Sequence, residues 1–168
     1  TLERPLHQFT QMVGMSAARA CMQLTGVLPD MKWPNDLLID NKKVSGILAQ
    51  GAPGFVVVGI GVNVNWAPPD AMSLAKAAPH HATSPVQLLR NMLSVIDELE
   101  ALSAEQLHEQ YSASLATLGQ SVRVEMTTGE FVEGRAMEVQ RDGRLVVLDD
   151  CAMSHHIDTG DVVHLRAQ

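Results

Sequence analysis

Apolar positions along this chain follow two different periods, and the change from one to the other organises it. Over residues 6–24, Leu6, Phe9, Met12, Val13, Ala17, Ala20 and Leu24 recur at the spacing that lines one face of a helix. Pro5 suits the first turn of that helix, and Gly26 follows where a C-cap is expected. Cys21 and the methionines of this stretch then read as packing residues. From residue 37 the pattern becomes short apolar runs between polar turns: 37–39, then 44–50 with Gly46 inside it, then 55–62, rich in β-branched residues. Asp40-Asn41-Lys42-Lys43 and Gly51-Ala52-Pro53-Gly54 form the turns. Connections this short predict an antiparallel meander of three strands.

Residues 66–83, with Pro68-Pro69, Pro79 and His80-His81, break both periods and read as a long loop of the binding or disordered kind. Helical spacing returns after Ser84-Pro85, an N-cap followed by proline at the first helical position. Val86, Leu89, Met92, Leu93, Ile96 and Leu99 supply the expected apolar face. Ser103 and Gln106 have the form of a capping box opening a second helix, continued by Leu107, Tyr111, Leu115 and Leu118 and ended by Gly119. Tyr111 reads as a packing residue with a wet hydroxyl. Beyond Gly119, short alternating runs separated by Thr128-Gly129, Asp142-Gly143 and Thr159-Gly160 predict a small β-barrel or sandwich. The predicted division is therefore residues 1–118, an α+β unit with helices packed on a sheet, and residues 119–168, a small all-β unit.

Composition narrows the function more than the fold. The 168 residues are 46% hydrophobic and 18% charged, which suits a globular chain with a real core. A net charge of −7, with only 12 lysines and arginines, argues against a nucleic-acid surface. No apolar run approaches the ~20 residues of a membrane span. Cys21 and Cys151 lie far apart and read as reduced, incidental residues of a cytoplasmic protein. His80-His81 and His155-His156 lack further ligands at metal spacing and read as solvated loop histidines, so no metal site is expected.

Chemistry concentrates between residues 32 and 65. Lys32-Trp33-Pro34-Asn35-Asp36 sets a lysine in an unusual context just before the strands. Gly46, Gly59 and Gly61 fall inside two adjacent predicted strands, where an interior glycine marks a bulge or a close approach by backbone or ligand. Gly59-Ile60-Gly61 is not a dinucleotide fingerprint, because residue 64 is valine and no helix follows. A lysine here suits a carboxylate or phosphate oxygen, and in a water-poor pocket it would stabilise charge developing during group transfer.

Three blocks, Lys32-Trp33-Pro34-Asn35-Asp36-Leu37, Lys43-Val44-Ser45-Gly46-Ile47-Leu48 and Gly59-Ile60-Gly61-Val62-Asn63-Val64-Asn65, closely resemble the biotin–protein ligases. The later helices and the small β-unit resemble that family's C-terminal half. The resemblance implies a biotin/lipoate ligase-like α+β fold, with a mixed or antiparallel sheet, followed by a small Src-homology-3-like barrel. It implies formation of biotinyl-5′-AMP from biotin and Mg²⁺-ATP, then transfer of biotin to a lysine of a biotin carboxyl carrier protein. Lys32 would match the essential lysine between the biotin carboxylate and the α-phosphate. Gly46 and Ile47 would line the biotin pocket. Asn63, Asn35 and Trp66 would meet the adenylate, although Asn35 could equally order the turn. Trp33, Pro34, Asp36, Gly59 and Gly61 would support them. Members occur as monomers or as homodimers joined through the sheet edge.

The family's Gly-Arg-Gly-Arg-type loop and Ser/Thr-Asn segment do not occur here; Arg4, Arg19 and Arg90 stand isolated. The expectation is a fragment of a longer ligase or a truncated homologue, with little activity by itself. Two other readings stay open: a binding or interaction module without catalysis, and a lipoate-ligase-like acyl transferase.

Overall fold

The structure is a computed structural model that describes residues 4–126 and 128–165. Helix α1 (Leu6–Thr25) begins after Pro5 in extended conformation and ends at Gly26, whose φ of 72° lets its N–H return to the Met22 carbonyl. Next come β1 (Asp30–Lys32), β2 (Asp36–Ile39), β3 (Lys42–Ala52) and β4 (Phe55–Val62), an antiparallel four-stranded sheet in sequence order. The expected three-stranded meander is thus one strand short. β1 is only three residues long, Asp30-Met31-Lys32, and carries too little alternation to be read in isolation. β3 also runs through Gly51 and Ala52, so the turn narrows to Pro53-Gly54, with φ 84° at Gly54.

The expected long loop is partly structured. Ser73 caps a short helix α2 (Leu74–Ala77) by accepting the Lys76 N–H, and Met72, Leu74 and Ala78 are buried. Helices α3 (Pro85–Glu100) and α4 (Ala104–Ser114) both open with complete capping boxes, Ser84 with Gln87 and Ser103 with Gln106. The face of α3 differs from expectation. It buries Leu88, Met92, Val95 and Leu99, whereas Val86, Leu89 and Leu93 are 59%, 54% and 52% exposed. Both sets have helical spacing; the packing of α3 on α1 decides which is core. α4 stops at Ser114 rather than Gly119, because Leu115 turns extended and bridges Met31 of β1.

The second sheet is antiparallel, ordered β8-β7-β6-β5-β9, from β5 (Ser121–Glu125), β6 (Phe131–Val139), β7 (Leu145–Leu148), β8 (Ser154–Ile157) and β9 (Asp161–His164). His155 and His156 belong to β8 rather than to a loop. His155 Nε2 lies 2.8 Å from Asp149 Oδ2, and His156 Nδ1 lies 3.0 Å from Gln140 Oε1. Gly134 is required by the β6–β7 pairing: a Cβ there would lie 2.2 Å from the Leu148 carbonyl oxygen. One continuous apolar cluster joins α1, both sheets and helices α3 and α4. Among the described residues no helix is long and apolar enough to cross a membrane.

Candidate functional site

Trp33, Pro34 and Asn35 connect β1 to β2, and the structure anchors this turn from three sides. Trp33 is 2% exposed, and its indole Nε1–H donates to the Gly143 carbonyl (3.0 Å). Its backbone N–H donates to Thr117 Oγ1 (3.0 Å), a side chain fully buried between the two sheets. The Tyr111 hydroxyl lies 3.5 Å from the Pro34 carbonyl. That phenol is buried rather than wet, and burial pushes its pKa up. Asn35 clasps the peptide of Ile47 on β3. Its Nδ2 donates to the Ile47 carbonyl (2.7 Å), and the Ile47 N–H donates to the Asn35 carbonyl (2.9 Å). The tip of the hairpin is therefore held by backbone-directed bonds, the supporting use of Asx side chains.

Behind this turn, Lys32, Asp36, Gly46 and Gly61 stand directly opposite one another across β1, β2, β3 and β4. Opposed residues of antiparallel strands share a face, so the row runs from a lysine through a carboxylate to a strip without side chains. Leu48 and Gly59 form the next pair on that face. A Cβ on Gly61 would meet nothing within 4 Å, so no neighbouring protein atom requires glycine there. Gly46, Ile47, Gly59 and Gly61 line an open groove of about 470 Å³ with Asn35 and Lys43.

Lys43 is the residue that sequence reasoning missed. The β2–β3 register shifts at Leu37/Leu38, which brings Lys43 opposite Leu38 and Ser45 opposite Leu37. The Lys43 side chain then lies over Gly46: a Cβ on Gly46 would be 3.0 Å from Lys43 Cε and 3.1 Å from its Nζ. Nζ is 2.6 Å from Asp36 Oδ1, close in distance though off the hydrogen-bond direction. The signal was its position three residues before Gly46; the bulge that turns it onto the groove leaves no mark in the sequence.

Lys32 faces a different space. It lies on a cleft of about 1020 Å³ between the first sheet and β9, also lined by Asp36, Asn41, Lys43, Gln120, Asp161 and His164. Its side chain is 16% exposed, and its ammonium lies 3.5 Å from Asp161 Oδ1 on the second sheet. Burial and the nearby Lys32 charge hold the His164 pKa below its ordinary value. His164 Nε2 also lies 3.4 Å from Thr117 Oγ1, the acceptor of the Trp33 N–H. Asp161, His164 and Thr117 are more than 80 residues from the motif, and nothing in the sequence pointed to them. Asn35 and Lys43 line both cleft and groove.

Asn63 and Trp66 line neither space. Asn63 Nδ2 donates to the Met72 carbonyl (3.1 Å) and, more distantly, to the Lys43 carbonyl (3.4 Å), which ties the start of α2 to β3. Trp66 is 73% exposed. Among the described residues no group of three His, Cys, Asp or Glu side chains could hold a metal ion. The arrangement can do one thing plainly. It offers a flat, backbone-lined strip with an ammonium group above it and a second one at the end of the same row, suited to an extended ligand carrying negative charge.

Residues 3–65, which contain the whole first sheet, match the model of the biotin/lipoate A/B protein ligase family. The biotin–[acetyl-CoA-carboxylase] ligase of Mycobacterium tuberculosis is 41% identical over 143 residues, 81% of this chain. Over most of its length the chain is thus similar to ligases of this family. The bifunctional ligase/repressor BirA of Bacillus subtilis is 36% identical over 84 residues, 42% of this chain. The chain spans 53% of the length of the Mycobacterium ligase and 26% of the Bacillus protein. The biotin protein ligase fold extends over nearly all of the chain. The apo Aquifex aeolicus biotin protein ligase superimposes with a TM-score of 0.82 at 23% identity, covering 95% of this chain and 76% of that one. The same ligase in complex with biotin and ATP gives 0.78 at 22% identity, covering 98% and 73%.

Proposed function

We propose that this chain carries the ligand-facing sheet of a biotin–protein ligase, which makes biotinyl-5′-AMP and passes biotin to a lysine of a carrier protein. The observation that carries this reading is the side-chain-free strip of Gly46, Gly59 and Gly61 with the Lys43 ammonium over it, inside the segment matched to the family. Biotin would lie along the strip, against Gly46 and Ile47. In the first step a biotin carboxylate oxygen bonds to the α-phosphorus of ATP, and the bond to pyrophosphate breaks. Two anions must approach, and the ammonium groups of Lys43 and Lys32 lower that repulsion before the transition state is reached. In the second step the acceptor amine bonds to the acyl carbon and AMP leaves, its phosphate charge held by the same cations. Mg²⁺ enters with ATP as part of the substrate. Asn35, Trp33, Pro34 and Asp36 fix the hairpin and the lysines. Asn63 shapes the segment beyond β4, on which Trp66 is free to cover an adenine.

The two lysines are assigned different weights. Lys43 overlies the strip, whereas Lys32 is tied to Asp161 and faces the cleft. The test is transfer of radiolabelled biotin to a carrier domain by the full-length protein with ATP, with adenylate formation followed separately. Lys43→Ala is expected to reduce adenylate formation at least a hundredfold, and Lys32→Ala by a smaller factor. Absence of transfer by the wild-type protein refutes the ligase reading. Wild-type rates in Lys43→Ala refute its assignment. Competition by lipoate at equal concentration would move the reading to the lipoate branch of the family.

A further inference from the structure

The outer side of β1 is bordered by the chain that leaves α4. The Ala116 N–H donates to the Met31 carbonyl (2.9 Å), and Met31 forms a parallel bridge with Leu115. In a regular parallel ladder the Trp33 N–H would next meet the Ala116 carbonyl. It donates to Thr117 Oγ1 instead (3.0 Å), at the point where the chain turns into the second sheet and the Gln120 N–H takes the Thr117 carbonyl (3.3 Å). Thr117 is fully buried, so its own hydroxyl hydrogen needs a protein acceptor. Among the described residues the hydrogen-bond partners of Oγ1 are the Trp33 N–H and His164 Nε2, 3.4 Å away on β9. Since the Trp33 N–H occupies a lone pair, the hydroxyl hydrogen is left for Nε2 to accept. Burial, chiefly, and the Lys32 charge hold the His164 pKa below its ordinary value against the pull of Asp30, which keeps Nε2 free to do so.

We infer that Thr117 is a positioning residue for Lys32, its hydroxyl aimed by His164 from the second sheet. The planar peptide that carries the Trp33 N–H also carries the Lys32 carbonyl. Holding that N–H therefore fixes the backbone at the last residue of β1 and the direction in which the lysine side chain leaves it. The β1–β2 pairing ends at Lys32 opposite Asp36, so this peptide lies past the last strand partner on that side. The Asp161 carboxylate holds the same lysine only at its far end, at 3.5 Å, well beyond the length of a tight charge-assisted bond. The consequence for the reaction rests on the ligase reading, in which the Lys32 ammonium offsets repulsion between two anions.

The experiment follows adenylate formation from biotin and ATP by the full-length protein, with kcat and KM separated. Thr117→Val keeps the shape without the hydroxyl and is expected to lower kcat about tenfold while the KM for biotin changes less than about threefold. Thr117→Ser returns the hydroxyl and should bring kcat back to within about threefold of wild type. His164→Leu should lower kcat about threefold, and His164→Gln, whose amide oxygen accepts in place of Nε2, should recover most of it. The deciding comparison pairs these changes with Lys32. If Thr117 acts through the lysine, Lys32→Ala with Thr117→Val stays within about twofold of Lys32→Ala alone. Losses that multiply mark a general structural defect and overturn the inference. If Thr117→Val does not fold, His164→Leu in the same comparison decides in its place. Wild-type kcat in the Thr117→Val protein overturns the inference and leaves the ligase reading standing, whereas a wild-type protein that makes no adenylate overturns both.

Discussion

Gly46→Ala separates a ligand-binding role of the glycine strip from a structural one. In the folded protein the new Cβ would sit 3.0 Å from Lys43 Cε, 3.1 Å from Lys43 Nζ and 3.4 Å from Asp36 Oδ1. Carbon contacts prefer ~3.5–4.0 Å, so something must yield. What yields is the end of a lysine that is 54% exposed. Moving it breaks a half-exposed ion pair, a loss of ~0.2–1 kcal/mol. The φ of Gly46 is not positive, so alanine adopts it freely and gains ~0.4–1 kcal/mol by restricting the unfolded chain. The two effects nearly cancel, and the melting temperature should stay within about 4 °C of wild type. The control is Gly61→Ala, where the added methyl meets nothing of the protein. If biotin lies along the strip, both methyls occupy its space. Isothermal titration of the full-length protein should then show biotin binding weakened by about 10- to 100-fold in each variant, ~1.4–2.8 kcal/mol. Unchanged affinity in both would refute the placement of the ligand. A fall in melting temperature beyond about 10 °C for Gly46→Ala would refute the steric account.

Three further outcomes follow from other parts of the structure. Trp33→Phe removes the indole donor and leaves the Gly143 carbonyl without it; a loss of about 2–3 kcal/mol in urea unfolding is expected, and a change under ~0.5 kcal/mol would show that the bond contributes nothing net. Burial depresses the pKa of both His7 and His164 below 6.5, helped at His164 by Lys32 and opposed by Asp30, and at His7 opposed by Asp142. The unfolded chain then binds more protons than the folded one around and below pH 6.5, so stability should fall as pH drops from ~7 towards 5, and His7→Asn with His164→Asn should flatten that slope; an equal slope in the double variant would remove these groups as its cause. Burial pushes the Cys21 thiol up to about 11, while Cys151 is exposed; a thiol reagent should label Cys151 alone in the native state, and labelling of both at one rate would contradict the packing of α1.

Residue patterns made the glycine strip of the candidate site legible, though not where Lys32, Asn63 and Trp66 lie relative to it. The row of Gly46 and Gly61 follows from strands joined by tight turns, since turn length sets register and register sets which residues share a face. The capping residues Ser84 and Ser103 were legible for the same local reason: a cap is formed by residues within one turn of it. The bulge at Leu37/Leu38 is where local reasoning stopped working, and with it the role of Lys43. One residue of slip decides whether that lysine overlies the groove, and two apolar residues in a row read alike with or without it.

By itself, then, the sequence determined the C-cap of α1 and the N-caps of α3 and α4, the order of the strands in the first sheet apart from the short β1, and the three blocks that resemble the ligase family. Only the tertiary structure decided that α3 turns Leu88 rather than Leu89 to the core, that His155 is paired in a strand, and that Asp161 stands 3.5 Å from Lys32. The physical reason is the range of the interactions. Periodicity fixes which side chains share a face, but a face becomes core or surface only through the element that packs on it. For Lys32 that neighbour is 129 residues away, on a strand whose own sequence says nothing about a lysine.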